Sequence, residues 1–208
     1  MNEPTVYLVD DDNAVLKSLR WLIESVGLKT KSVGAASSFL DIYDPYSPGC
    51  LVLDVRMPGM TGLQLQVLLN ERGIEVPVII MTGHSDVATC TESFRNGAFD
   101  FIEKPADDEF LLSRIRAAIK SDFERCRLED SKRKIQTRIA ALTPREREVM
   151  NAIVCGKPQK LIASELGISF QTAAKHRAKV LQKLQVANDV EILRTVLTME
   201  ATPEALSV

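Results

Sequence analysis

Over roughly the first 120 residues, short apolar runs alternate with longer amphipathic stretches. The runs at 6–9, 28–33, 50–53, 76–82 and 99–103 are short and bounded by polar or turn-forming residues, so they read as strands. Between them apolar residues return at helical spacing: Val15, Leu19, Leu22, Ile23 and Val26 in the first interval, Leu65, Leu68 and Leu69 in the third. Gly27, Gly73 and Gly97 stand where such helices end in a left-handed residue. Strands alternating with helices predict an α/β fold, a doubly wound five-stranded parallel sheet covered on both faces, with right-handed crossovers. This first domain is expected to occupy residues 1–123.

Beyond Pro105 neither Gly nor Pro occurs until Pro144. Leu111, Ile115, Ile119 and Phe123 continue at i+4 intervals, and then ten of the fifteen residues 120–134 are charged. Glu129–Arg133 and Asp130–Lys134 are favourable i,i+4 pairs, so residues 124–142 are expected to form a charged, helical linker, with a flexible tether as the alternative. From residue 143 the pattern is wholly helical. Thr143-Pro144-Arg145-Glu146 carries a cap hydroxyl, a proline at the first helical position and an acid at the third. That helix bears Val149, Ile153 and Val154 and stops near Gly156; a second passes through 161–166, a third runs 170–184 and a fourth 189–199. The second and third are joined by Gly167-Ile168-Ser169, a short turn of helix-turn-helix type, so 143–208 reads as a small all-α domain.

The net charge of −2 conceals a division. Residues 1–120 hold 11 Lys+Arg against 17 Asp+Glu, whereas 143–186 hold 8 against 3, which points the second domain at a polyanion such as double-stranded DNA. No apolar run approaches the ~18 residues of a membrane span, and the first residues lack a signal-peptide pattern, so a cytoplasmic protein with no membrane partner is expected. The four cysteines lie far apart without a C-x-x-C, which argues for reduced thiols and against a zinc site. His84 and His176 are too few and too separated to suggest a metal site.

The chemistry gathers at strand ends. Leu51-Val52-Leu53 runs into Asp54 and then Met57-Pro58-Gly59; the run 6–9 ends at Asp10-Asp11-Asp12. Open α/β sheets bind ligands outside the carboxyl ends of their strands, and two acid clusters facing one crevice offer an oxygen cage for Mg²⁺. Asp12, just ahead of the first helical stripe, reads as its cap. Two further strand ends follow, Met81-Thr82-Gly83 and Phe101-Ile102-Glu103-Lys104-Pro105.

In order and spacing these motifs resemble a two-component receiver domain, and the back half resembles a LuxR-type helix-turn-helix. Nearly the whole chain is therefore similar to a response regulator of the FixJ/NarL family. The resemblance implies that Asp54 accepts a phosphoryl group from a sensor histidine kinase. It implies Asp10 and Asp11 as Mg²⁺ ligands beside Asp54, Lys104 and Thr82 as donors to the phosphoryl oxygens, and a cis bond between Lys104 and Pro105. Phe101, otherwise a core residue, is implied as a switch that moves with Thr82. Phosphorylation is then expected to promote a homodimer that binds promoter DNA and regulates transcription.

The third helix supplies the expected DNA contacts: Gln171, Thr172, Lys175, His176, Arg177, Lys179 and Lys183, with Lys160 from the second helix. Ala173, Val180, Leu181 and Leu184 face inward. Two departures stand out. Thr172-Ala173-Ala174 lacks a side chain that LuxR-type helices often use to read bases, and Pro158 replaces the usual Ser/Thr cap. Val190, Leu193 and Leu197 suit either a dimer seam or monomer core. Two other readings are open to the same residues. One is a DNA-binding regulator independent of phosphorylation. The other is a Mg-dependent phosphatase of the haloacid-dehalogenase type, whose Asp-x-Asp-x-Thr/Val signature fails at Arg56 and at Ala14.

Overall fold

Alternate side chains of β1 (Thr5–Val9) enter two different cores: Val6 and Leu8 lie in one, Tyr7 and Val9 in the other. Successive residues of a strand point to opposite faces, so a strand buried throughout must lie in a sheet covered on both sides. The structure, a computed structural model, describes residues 3–83 and 87–200. His84 and the stretch 201–208 at the end of the second predicted domain lie outside the described residues. The chain divides into two units, Met1–Arg127 and Leu128–Val208.

In the first unit β2 (Lys29–Val33), β1, β3 (Gly49–Asp54), β4 (Val78–Thr82) and β5 (Asp100–Glu103) form one parallel sheet in the order β2-β1-β3-β4-β5. β2 is an edge strand whose two lysines are exposed, a device that discourages pairing with another sheet. On one face α1 (Asn13–Ser25) packs Leu16, Leu19 and Ile23 against Val6, Leu8 and Ile79, joined there by Leu111 and Ile115 of α5 (Asp108–Ala140). On the other, α2 (Phe39–Ile42) and α3 (Gly62–Glu71) deliver Phe39, Leu65 and Leu69 to Leu51, Leu53 and Ile80. α4 (Val87–Arg95) precedes β5. Asp12 caps α1 as expected, accepting from the Ala14 N–H at 2.7 Å.

α5 departs from the i+4 reading. Leu111, Leu112, Ile115, Ala118 and Asp122 are its buried positions, while Phe123 is 37% exposed. At 3.6 residues per turn a strict i+4 series drifts about 40° per step, so a 4-3-4 series holds the inward face. Asp122 is only 2% exposed. It accepts from the Gly49 N–H at 2.8 Å and from Arg125 at 2.7 Å, fastening α5 to the start of β3.

In the second unit α6 (Pro144–Val154), α7 (Gln159–Glu165), α8 (Phe170–Leu184) and α9 (Asp189–Glu200) enclose Leu142, Val149, Met150, Ile153, Ile162, Val180, Leu184 and Ile192. Thr143 and Glu146 form the predicted capping box on α6, and Ser169 caps α8 through the Thr172 N–H at 3.1 Å. Pro158 at the head of α7 makes no side-chain cap bond.

Candidate functional site

The sheet register brings four chain-distant residues to one edge. Val9 is level with Leu53, Asp54 with Met81, and Thr82 with Glu103, so the residues at these strand ends, Asp10, Asp54, Thr82 and Lys104, fall in a row. Asp10, Asp54 and Thr82 are buried, at 4%, 8% and 1% exposure. The Lys104 ammonium bridges the two acids, 2.5 Å from Asp10 Oδ2 and 2.8 Å from Asp54 Oδ1. The remaining carboxylate oxygens accept backbone N–H groups, Asp10 from Asp12 at 2.9 Å and Asp54 from Arg56 at 2.6 Å. The Lys104 N–H donates to the Thr82 carbonyl at 2.8 Å, and the Lys104-Pro105 peptide is cis. Burial works against the Lys104 charge, but its bonds to Asp10 and Asp54 and their negative charges outweigh it and raise its pKa above 10.5.

Two carboxylates against one ammonium leave the crevice net negative. A hard divalent cation fits such a donor set, since Mg²⁺ is satisfied by one or two carboxylates with waters and phosphate oxygens completing its shell. Among the described residues no three Asp, Glu, His or Cys side chains gather around one point. Asp11, next in the chain after Asp10, is exposed. Phe101 is half-buried, lies on β5 level with Ile80 of β4, and packs at the margin of the core that holds Leu53 and Ile80.

Gly62 is a contributor that the sequence pattern did not single out. A Cβ there would stand 2.1 Å from the Asp54 carbonyl oxygen, so only glycine lets α3 begin against the backbone of this acid. Thr61 and Gln64 close a capping box around that helix start, and the Gly62 N–H donates to the Val55 carbonyl at 3.0 Å.

In the second unit α7 and α8 are separated by the turn at Gly167, whose φ is +62°, the left-handed region that glycine enters freely. Lys160, Gln171, Lys175 and Lys179 are exposed. Other expected contacts are engaged within the unit. Arg177 pairs with Asp189 at 2.9 Å, and Thr172 shares a 2.8 Å hydroxyl bond with Ser169. His176 is half-buried, and its Nδ1 has no partner among the described residues. Lys183 is not part of a free basic exterior: it bonds to Glu146 at 2.6 Å and to the Ala141 carbonyl at 3.1 Å, because Glu146 is buried and needs a cation. On α9 Ile192 fills the core, whereas Val190, Leu193 and Leu197 are exposed, which answers the choice between core and surface for these three.

The family described as response regulator receiver domain matches residues 6–116, and that of bacterial regulatory proteins, luxR family, matches 140–196. The transcriptional regulatory protein FixJ of Azorhizobium caulinodans is 43% identical over 198 residues, spanning 95% of this chain and 94% of that one. The transcriptional regulatory protein TdiR of Thauera aromatica is 36% identical, over 94% of this chain and 86% of that one. Among solved structures, a low-resolution structure of the response regulator StyR has 35% identity and a TM-score of 0.87, covering 94% of this chain and 99% of that one. Full-length FixJ from B. japonicum has 37% identity and a TM-score of 0.57, covering 97% and 100%. Among the described residues no helix is long and apolar enough to cross a membrane. With a receiver sheet in its first unit and a luxR-family helix-turn-helix in its second, this chain belongs to the FixJ/NarL-type response regulators, DNA-binding regulators of transcription.

Proposed function

We propose that Asp54 is the phosphoacceptor of this regulator and that a sensor histidine kinase is the donor. The observation that carries this reading is the Lys104 ammonium held between Asp10 and Asp54, at 2.5 and 2.8 Å, in a crevice that also ends at Thr82. An Asp54 carboxylate oxygen attacks the phosphorus of a phosphohistidine. The O–P bond forms, the N–P bond breaks, and the electron pair stays on the imidazole nitrogen. Such transfers ask a protein mainly for positioning and charge neutralisation. The N–H of Arg56 and the ammonium of Lys104 hold the Asp54 carboxylate in place. Lys104 then stays beside the new phosphoryl group, and the Thr82 hydroxyl donates to one of its oxygens. Asp10 and Asp54, with the neighbouring Asp11, are the carboxylates that would hold Mg²⁺, which when bound neutralises charge on the phosphoryl oxygens.

As Thr82 turns to the phosphoryl group, Phe101 moves inward, and the face made by α4, β5 and α5 becomes a homodimer contact. The receiver occupies 1–123, the charged linker 124–142 and the DNA-binding domain 143–208. α8 enters the major groove of promoter DNA, with Gln171 at base edges and Lys160, Lys175 and Lys179 on phosphates. The exposed Val190, Leu193 and Leu197 support α9 as a second dimer seam. The protein works in the cytoplasm as a stoichiometric acceptor and not as a turnover enzyme.

The test is intact mass and size in solution for wild type and Asp54→Asn after incubation with Mg²⁺ and acetyl phosphate. One added phosphoryl group on wild type alone, with a shift to dimer, is expected. No adduct on either protein would favour DNA binding independent of phosphorylation, and multiple turnover of a phosphate ester would favour a phosphatase.

A further inference from the structure

Along α8, Phe170, Ala174 and Ala178 stand four residues apart, so their side chains follow one another on one face of the helix. Phe170 is 57% exposed, Ala178 is exposed and Ala174 is half-buried. The core is held by a different set, Ala173, Val180 and Leu184. Gln171, Lys175 and Lys179, each next in the chain after a member of the apolar row, form an exposed polar row beside it. The head of α8 is fixed from both sides: Ser169 accepts from the Thr172 N–H at 3.1 Å, and Gln159 Nε2 donates to the Phe170 carbonyl at 3.3 Å. The backbone of Phe170 is thus tied to α7 while its ring stays outside the core.

Of the base edges that a helix meets in the major groove, only that of thymine presents a methyl group. None of the three apolar side chains can donate or accept a hydrogen bond. A polar base edge beneath them would lose its water without gaining a partner, whereas a methyl group gains apolar cover. We propose, taking α8 as the helix that enters the groove, that this row selects thymine. The Phe170 ring packs on one 5-methyl group, and the short Ala174 and Ala178 let the helix close on the methyl groups of neighbouring base pairs. At 1.5 Å per residue the row spans about 12 Å, the length of roughly three to four base pairs. Lys175 and Lys179 attract any duplex through its phosphates, whereas the apolar row discriminates among sequences.

The test is selection of random-sequence duplexes by the full chain, with and without acetyl phosphate, followed by fluorescence anisotropy on the winning duplex with deoxyuridine in place of single thymines. A fixed thymine in the selected site is expected. Deoxyuridine there should weaken wild type by about four-fold, the worth of one buried methyl group, while Phe170→Ala should bind the two duplexes within about 1.5-fold of each other. Phe170→Leu, still apolar, should keep a preference for thymine of about two-fold or more. Because the ring lies outside the core, both variants should melt with wild type. Equal loss on deoxyuridine in wild type and Phe170→Ala, or no loss in either, would overturn the proposal, as would a selected site without a fixed thymine. Thymine discrimination kept in Phe170→Ala but dimer lost would assign the ring to a protein contact instead. Enrichment of no sequence at all would remove α8 as a base-reading helix, a failure distinct from a selected site that ignores the methyl group.

Discussion

At the residue scale, charged groups held away from water leave the clearest signatures. Glu146 is pulled from 4.5 to about 2, chiefly by its bond to Lys183 and then by the Thr143 N–H. A depressed carboxyl stabilises the fold above its unfolded pKa and loses that contribution as pH falls through the folded value. Its contribution is therefore full above about pH 4.5 and gone near pH 2. Glu146→Gln should flatten the acid limb of thermal unfolding across that window and cost about 1–3 kcal/mol at neutral pH; an unchanged limb would remove the pair from the account. Lys104 has the opposite sign. Its raised pKa means a contribution complete below pH 10.5 and lost only as pH rises through the higher folded value. Gly62 offers a sharper test of the phospho-site. A Cβ at Gly62 meets the Asp54 carbonyl at 2.1 Å, and one at Gly49, at the other end of β3, meets the Thr5 carbonyl at 2.2 Å. Gly62→Ala should slow acetyl-phosphate labelling of Asp54 by about ten-fold, while Gly49→Ala, similarly destabilised, should stay within about two-fold of wild type. Equal slowing in both would mean that stability alone is at work. The acids, Thr82 and Lys104 were legible because reactive side chains announce themselves; Gly62 was not, since a glycine shows nothing until its neighbour is known.

At the scale of elements, α8 separates into a face that meets solvent and a face tied to its own unit. Lys175 and Lys179 are exposed, whereas Lys183 is bonded to Glu146. Lys175→Ala and Lys179→Ala should each lower DNA affinity evenly across sequences and reduce the slope of log affinity against log salt by about 0.9 in magnitude, read by fluorescence anisotropy. Lys183→Ala should leave that slope alone and instead lower the melting temperature. The boundaries of α8 at 170 and 184 follow from local signals, the Ser169 cap and the apolar stripe of Ala173, Val180 and Leu184. Sequence distinguishes a lysine from a leucine, but not a lysine facing phosphate from one facing a buried glutamate 37 residues away.

At the scale of the whole molecule, α5 runs from Asp108 to Ala140 through the most charged part of the chain. Amides across 124–136 should accordingly show helical protection in hydrogen exchange; rates as fast as those of unstructured peptide would establish a flexible tether. The amino-acid sequence alone determined the alternation of strands and helices, the helix caps and the division into acidic and basic halves, because each follows from periodicity or from neighbours within four residues. Tertiary structure decided which strand lies beside which, and so which distant acids share one ammonium. It also decided that Asp122 and not Phe123 faces the sheet and that Lys183 serves the fold. Those outcomes depend on groups brought together across tens of residues, and burial by such partners leaves no trace in a local pattern.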